Sequence, residues 1–268
     1  LRRLGRYDDA TATLEEALAI FRATLGDDHP RVAVTLNNLG ATFADHRDFS
    51  GARRAHEEAL SIRERALGPD HPEVASSANN LGVALMEQGE YDAAEAAFKR
   101  AIAIREAGGV DPALSDPILN LGNLHLFRGQ NEAALAAYRR ALANDRAVFG
   151  DDHPNVAFSR NNVGTALWLS GDLEGATAEL EAARDLLAKR LGDDHPILAA
   201  PLLGLAEVAL DRGDPAAARP LLAEAEARVF ILDFDSPGTS RSAAAGAIDR
   251  YVGVNVGVEW DFPAATQL

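Results

Sequence analysis

GDDHPRVAVTLNNLG, residues 26–40, decides the fold, because it returns four times at nearly fixed spacing. The copies are GPDHPEVASSANNLG at 68–82, GGVDPALSDPILNLG at 108–122, GDDHPNVAFSRNNVG at 150–164 and GDDHPILAAPLLGLA at 192–206. Successive starts lie 42, 40, 42 and 42 residues apart. A period in this range means a stacked array of small units rather than one closed core, since no unit can bury its own apolar face.

Each period reads as two antiparallel helices. In the copy beginning at Gly26, helix A is expected over about 30–45, where Val32, Leu36, Leu39 and Phe43 fall three or four residues apart and so share a face. Helix B is expected over about 49–67, with Ala52, Ala55, Ala59, Leu60 and Ile62 as its stripe. Gly68 or Gly192 can end helix B in the left-handed conformation. The Asp-Asp-His stretch supplies a side chain to cap the next helix. Pro30, Pro72, Pro112, Pro154 and Pro196 then enter the first helical turn, where a missing N–H costs nothing. Gly5, Gly89, Gly129, Gly171 and Gly213 mark the A-to-B turn, a series broken only by Arg47.

Composition narrows the function. The chain has 268 residues and a formal charge of −15, from 41 acidic against 26 basic side chains. That surface repels nucleic acid and favours partners that are basic or neutral. With no cysteine, disulfides, thiolate metal sites and cysteine nucleophiles are excluded. No apolar run approaches the roughly 20 residues of a membrane-spanning helix, so no membrane association is expected. No signal segment is legible and the expected location is cytoplasmic, although the sequence opens at Leu1 without a methionine. No phosphate-binding loop, G-x-S-x-G elbow or H-E-x-x-H motif occurs. The chain is therefore not expected to be an enzyme or to need a cofactor.

Leu39-Gly40 with Phe43, Ala52 and Ala59 resembles the signature of tetratricopeptide repeats. So do Leu81-Gly82 with Ala94, Phe98 and Ala101, and Leu121-Gly122 with Ala134, Tyr138 and Ala141. The period is longer than the usual ~34 residues of that family and is similar to the kinesin-light-chain subtype, which is also abundant in bacterial signalling proteins. The resemblance covers about residues 1–229. It implies an all-α, right-handed α-solenoid of stacked antiparallel helix pairs, whose helix A row lines a concave groove. It divides the chain into a partial repeat at 1–25 and repeats at about 26–67, 68–107, 108–149, 150–191 and 192–229. The departures are a third turn shortened by two residues, with Asp111 in place of histidine, and a last repeat with Gly204 for asparagine and Ala206 for glycine.

The asparagines are the clearest binding candidates. Asn38, Asn80, Asn120 and Asn162 recur once per repeat, so stacking forms a ladder of amides, each with two donors and an acceptor to offer an extended peptide. Asn37, Asn79 and Asn161 precede three of them and are equally suited to tying repeats together. The positions in phase with the ladder differ between repeats: Ala41 and Asp45, Val83 and Glu87, Asn123 and Phe127, Thr165 and Leu169. Apolar character near Phe127, Trp168 and Leu169 and acidity near Asp45 and Glu87 suit a peptide with one hydrophobic anchor and basic residues; Phe127 and Trp168 are equally suited to packing on helix B. His29, His71, His153 and His195 read as turn and cap residues, not metal ligands. Equivalent atoms in stacked repeats lie on the order of 10 Å apart per packed helix, and one ion cannot bridge them at about 2.1 Å.

Residues 230–268 leave the pattern. Val252, Val254, Val256, Val258, Trp260 and Phe262 alternate strictly, a strand signal over 251–262. This tail reads as a flap on the last repeat, the opening of a β-domain, or a frameshifted reading. The leading function is a non-catalytic scaffold holding a peptide segment of a partner protein in the helix A groove. The alternative is the regulatory or substrate-docking arm of a larger signalling enzyme, such as a Ser/Thr kinase or NTPase regulator. Self-association through the array ends is a further expectation.

Overall fold

The computed structural model describes residue 1 and residues 5–234, with side chains through 228. The linker and strand expected in the tail lie outside the described residues. Within them are eleven α-helices, one short 3-10 turn and no strand. The helices are α1 (Tyr7–Leu25), α2 (Pro30–Asp45), α3 (Phe49–Leu67), α4 (Pro72–Glu87), α5 (Tyr91–Ala107) and α6 (Ser115–Phe127). They continue with α7 (Asn131–Phe149), α8 (Pro154–Leu169), α9 (Leu173–Leu191), the 3-10 turn Pro196–Leu198, α10 (Ala199–Asp211) and α11 (Pro215–Phe234). Even-numbered helices are the A helices and odd-numbered ones the B helices.

The punctuation follows the sequence. The side chain of the Asp-Asp-His stretch that caps α2, α4 and α8 and the 3-10 turn is the histidine. His29 Nδ1 accepts from the Arg31 N–H at 3.2 Å, His71 Nδ1 from Glu73 at 3.2 Å, His153 Nδ1 from Asn155 at 3.1 Å and His195 Nδ1 from Ile197 at 3.3 Å. An imidazole can accept there only when neutral with its proton on Nε2, so the cap engages the Nδ1 lone pair. In the shortened third turn Asp111 takes over, its Oδ1 accepting from the Ala113 N–H at 2.8 Å. Burial pushes the Asp111 carboxyl up, but that N–H and the Arg105 guanidinium outweigh it and hold the group below its ordinary value.

Gly68 has positive φ, as expected, but its ψ of 157° is extended rather than left-handed helical. That combination of angles is open almost only to glycine. In the A-to-B turns Arg47 takes a φ of 61° where the other repeats place glycine.

α6 and α10 start late and run only 13 residues, against 16 for α2, α4 and α8. Both carry proline as their third residue, Pro117 and Pro201. Had either helix begun at the repeat's usual proline, this second ring would sit inside it and remove an i→i−4 bond. Beginning later puts it in the first turn, where the N–H has no partner to lose.

The chain forms two compact units, Leu1–Leu124 and His125–Leu268. In the first, α1 packs on α2, α2 on α3, α3 on α4 and α4 on α5, and the A helices α2 and α4 also touch. In the second, α7 packs on α8, α8 on α9, α9 on α10 and α10 on α11, and α8 touches α10. One core cluster joins Leu18 of α1, Val32, Ala33, Leu36 and Leu39 of α2, and Ala59 and Ile62 of α3. It is therefore shared between neighbouring repeats, so burial and the stability it brings are nearest-neighbour properties. The A and B helices approach closely enough that a Cβ on Gly82 would lie 2.5 Å from the Phe98 ring, and one on Gly164 2.7 Å from Leu180.

Candidate functional site: the asparagines of the A helices

Helix A carries its asparagines on two adjacent register positions. Residues 37, 79 and 161 occupy the first, and residues 38, 80, 120 and 162 the second. The structure treats the two differently.

Asn37 is buried in a polar chain inside the first unit. Its Nδ2 donates to Ser77 Oγ at 3.0 Å and its Oδ1 lies 3.0 Å from His56 Nδ1. Arg63 Nη1 donates to the same Ser77 oxygen at 2.8 Å and to the Glu73 carbonyl at 3.0 Å. Burial, and then the Arg63 charge, lower the His56 pKa to about 4. The imidazole is thus neutral and donates to Asn37. The chain Arg63–Ser77–Asn37–His56 links α2, α3 and α4. His56, Ser77 and Arg63 were not singled out in the sequence. The available signal was that His56 stands where Phe98, Tyr138 and Leu180 stand in later repeats.

Asn79 and Asn120 hold each other: Asn120 Nδ2 donates to Asn79 Oδ1 at 2.9 Å, from α6 to α4. Asn161 is 6% exposed, and its Oδ1 is buried with no hydrogen-bond partner. The register explains the difference. The donor that Asn37 uses, His56, corresponds to Leu180 in the repeat of Asn161, and the donor that Asn79 uses, Asn120, corresponds to Gly204 in the repeat that follows. Both donors are missing.

At the second position Asn38, Asn80 and Asn162 make no side-chain hydrogen bond among the described residues. Asn38 is exposed and borders a pocket of about 310 Å³ with Ala10, Thr13, Leu14 and Thr42. Asn80 is half-buried and Asn162 is 4% exposed. Asn123 is buried, Phe127 is 47% exposed and Leu169 is half-buried. The Leu169 carbonyl accepts from Asn131 Nδ2 at 2.9 Å. Trp168 is half-buried and donates its Nε1–H to Asp211 Oδ2 at 2.7 Å. Val34 and Phe158, one turn before Asn38 and Asn162, are exposed apolar residues that the sequence reading passed over. Spacing of four residues from the ladder was the signal that could have found them. On α10 the half-buried Glu207 lies one turn before Asp211, and burial followed by the Asp211 charge raises its pKa.

In the first unit the unengaged amides of Asn38 and Asn80, with exposed Val34 one turn before Asn38, are suited to holding a ligand by hydrogen bonds and contact. No group of three His, Asp or Glu side chains among the described residues could hold a metal ion, and no described helix is long and apolar enough to cross a membrane.

A tetratricopeptide repeat family model matches residues 1–65, 48–107 and 115–189, and a second tetratricopeptide repeat model matches 199–224. Among solved structures, BtubC (BKLC) from P. vanneervenii is 21% identical with a TM-score of 0.69, over 89% of this chain and 95% of its own. A Podosopora anserina protein with nearly identical TPR-like repeats, described as a kinesin light chain, is 22% identical with a TM-score of 0.61, over 70% of this chain and 90% of its own. The apo form of RapI is 18% identical with a TM-score of 0.63, over 85% and 79%. These structures share the fold, and kinesin-light-chain-like repeat proteins are among them. No curated protein matches the sequence.

Proposed function

Because the chain belongs to the tetratricopeptide repeat family, we propose that it is a non-catalytic interaction module that holds an extended segment of a partner protein along its helix A stripe. The observation that carries the reading is the division of labour within the asparagine pairs. Asn37 and Asn79 use their amides inside the protein, whereas Asn38, Asn80 and Asn162 leave theirs unengaged. An unengaged amide at a repeating position matches the repeating N–H and C=O of an extended main chain. Exposed Val34, Phe127 and Phe158 add apolar contact, and the formal charge of −15 favours a basic segment.

The test begins with peptides selected from a random phage-displayed library on the full chain. Their affinities are then measured for the native protein and for Asn38→Ala/Asn80→Ala/Asn162→Ala. The expected result is at least about a tenfold loss of affinity, the equivalent of ~1.4 kcal/mol, with an unchanged melting temperature. Unchanged affinity would refute a ligand role for these amides.

A further inference from the structure

We infer that the seam between α8 and α10 is a built-in weak joint, at which the last repeat, α10 with α11, opens from the rest of the second unit as one body. The inference stands apart from the peptide-holding reading. It starts from Asn161, whose Oδ1 is buried without a hydrogen-bond partner. In the first unit the same register position is sealed: Asn79 Oδ1 on α4 accepts from Asn120 Nδ2 on α6 at 2.9 Å, one bond across successive A helices. In the second unit α8 and α10 also touch, but the residue in the place of Asn120 is Gly204, which has no side chain to donate. The polar ties that α10 does make to the preceding repeat, among the described residues, lie at one end of it. Trp168 Nε1 donates to Asp211 Oδ2 at 2.7 Å, and Arg212 Nη2 donates to the Leu173 carbonyl at 2.9 Å. Asp211 closes α10 and Arg212 follows it, whereas Gly204 stands in its middle.

A buried acceptor that lacks its donor is unfavourable only while it stays dry. Opening the seam lets water reach Asn161 Oδ1 and relieves that cost. The closed state of this junction is therefore held less firmly than the one sealed by Asn79 and Asn120. Stability in a stacked array passes through such nearest-neighbour junctions. A weakened one marks where a group of helices leaves together, at a lower free energy than global unfolding. α11 goes with α10 because the two share a core: Ala218 of α11 clusters with Ala206 and Ala209 of α10, and Leu221 and Leu222 pack against them. α11 also carries Pro220 in its interior, where the ring has no N–H to give the Ala216 carbonyl. The helix thus has less hydrogen bonding of its own to resist the opening.

Native-state hydrogen exchange on the full chain, read amide by amide by NMR, tests the joint. The α10 and α11 amides are expected to exchange at least about tenfold faster than those of α8. Gly204→Asn restores the donor present at Asn120 and should slow α10 and α11 by about tenfold, the equivalent of ~1.4 kcal/mol. A β-carbon on Gly204 would lie 3.0 Å from Leu180 Cδ2, the end of a flexible side chain, so a second variant avoids that contact. Asn161→Leu removes the unpaired oxygen, places there the residue found at Leu119 and Leu203, and should slow the same amides. α11 is the decisive readout, because neither substitution lies on it. Simple fraying from the end of α11 would leave its exchange unchanged in both variants. Slower α11 exchange in either variant, on top of the native difference, upholds the joint. Exchange of α11 unaltered in both variants, or α10 and α11 no faster than α8 in the native protein, would overturn it.

Discussion

Asn120 donates to Asn79 across the A helices of successive repeats at 2.9 Å, so the recurrent asparagines include members that bind one another. Replacing one partner leaves the other's polar group half-buried and unpaired, while replacing both removes the demand altogether. The coupling between Asn79→Ala and Asn120→Ala, measured by a double-mutant cycle in urea, is therefore expected to be about 1 kcal/mol. Strict additivity would show that the bond contributes nothing.

Gly82 faces Phe98 so closely that any β-carbon would enter the ring. Gly82→Ala should destabilise the protein by about 1–3 kcal/mol, the usual range for overpacking, despite alanine's better helix propensity. A melting temperature equal to or above that of the native protein would contradict the close approach of α4 and α5.

His71 caps α4 through Nδ1. His71→Ala should cost about 1 kcal/mol, whereas His71→Asn, which retains a side-chain acceptor, should recover most of it. Equal denaturation midpoints for the two variants would show that the imidazole does not cap.

His56 predicts a pH dependence. Its folded pKa of about 4 lies below the ordinary 6.5, so between those values the unfolded chain binds a proton that the folded chain refuses. Stability from this group is whole above about pH 6.5 and falls as the pH drops towards 4, by up to about 3 kcal/mol. His56→Phe, which places in this repeat the residue found at Phe98, should flatten the decline relative to the native protein in urea titrations from pH 7 to 4.5. Parallel pH profiles for the two proteins would sink the assignment. Asp111 adds a smaller loss at more acidic pH, because its pKa is held below the ordinary 3.8. Its contribution is present above that value and disappears as the pH falls through the lowered one.

The period, the helix pairing and the helix ends were legible in the sequence because they depend on local chemistry. Pro30 and Pro72 can only open a helix, and Gly82 and Ala94 mark where two helices must touch. The late starts of α6 and α10 were legible too, in Pro117 and Pro201, though not read. The division among the asparagines was not legible. Asn37, Asn79 and Asn161 are the same residue at the same register position. One is held by His56 from its own helix B, one by Asn120 from the next helix A, and one by nothing. Sequence by itself determined that an asparagine would recur here, because three of the repeats place it at the same position of helix A, at 37, 79 and 161. Only the tertiary structure decided which of them find hydrogen-bond partners inside the protein and which do not. A hydrogen bond needs its donor and acceptor about 3 Å apart, and residues 41 positions apart in the chain meet at that distance only once the repeats have stacked.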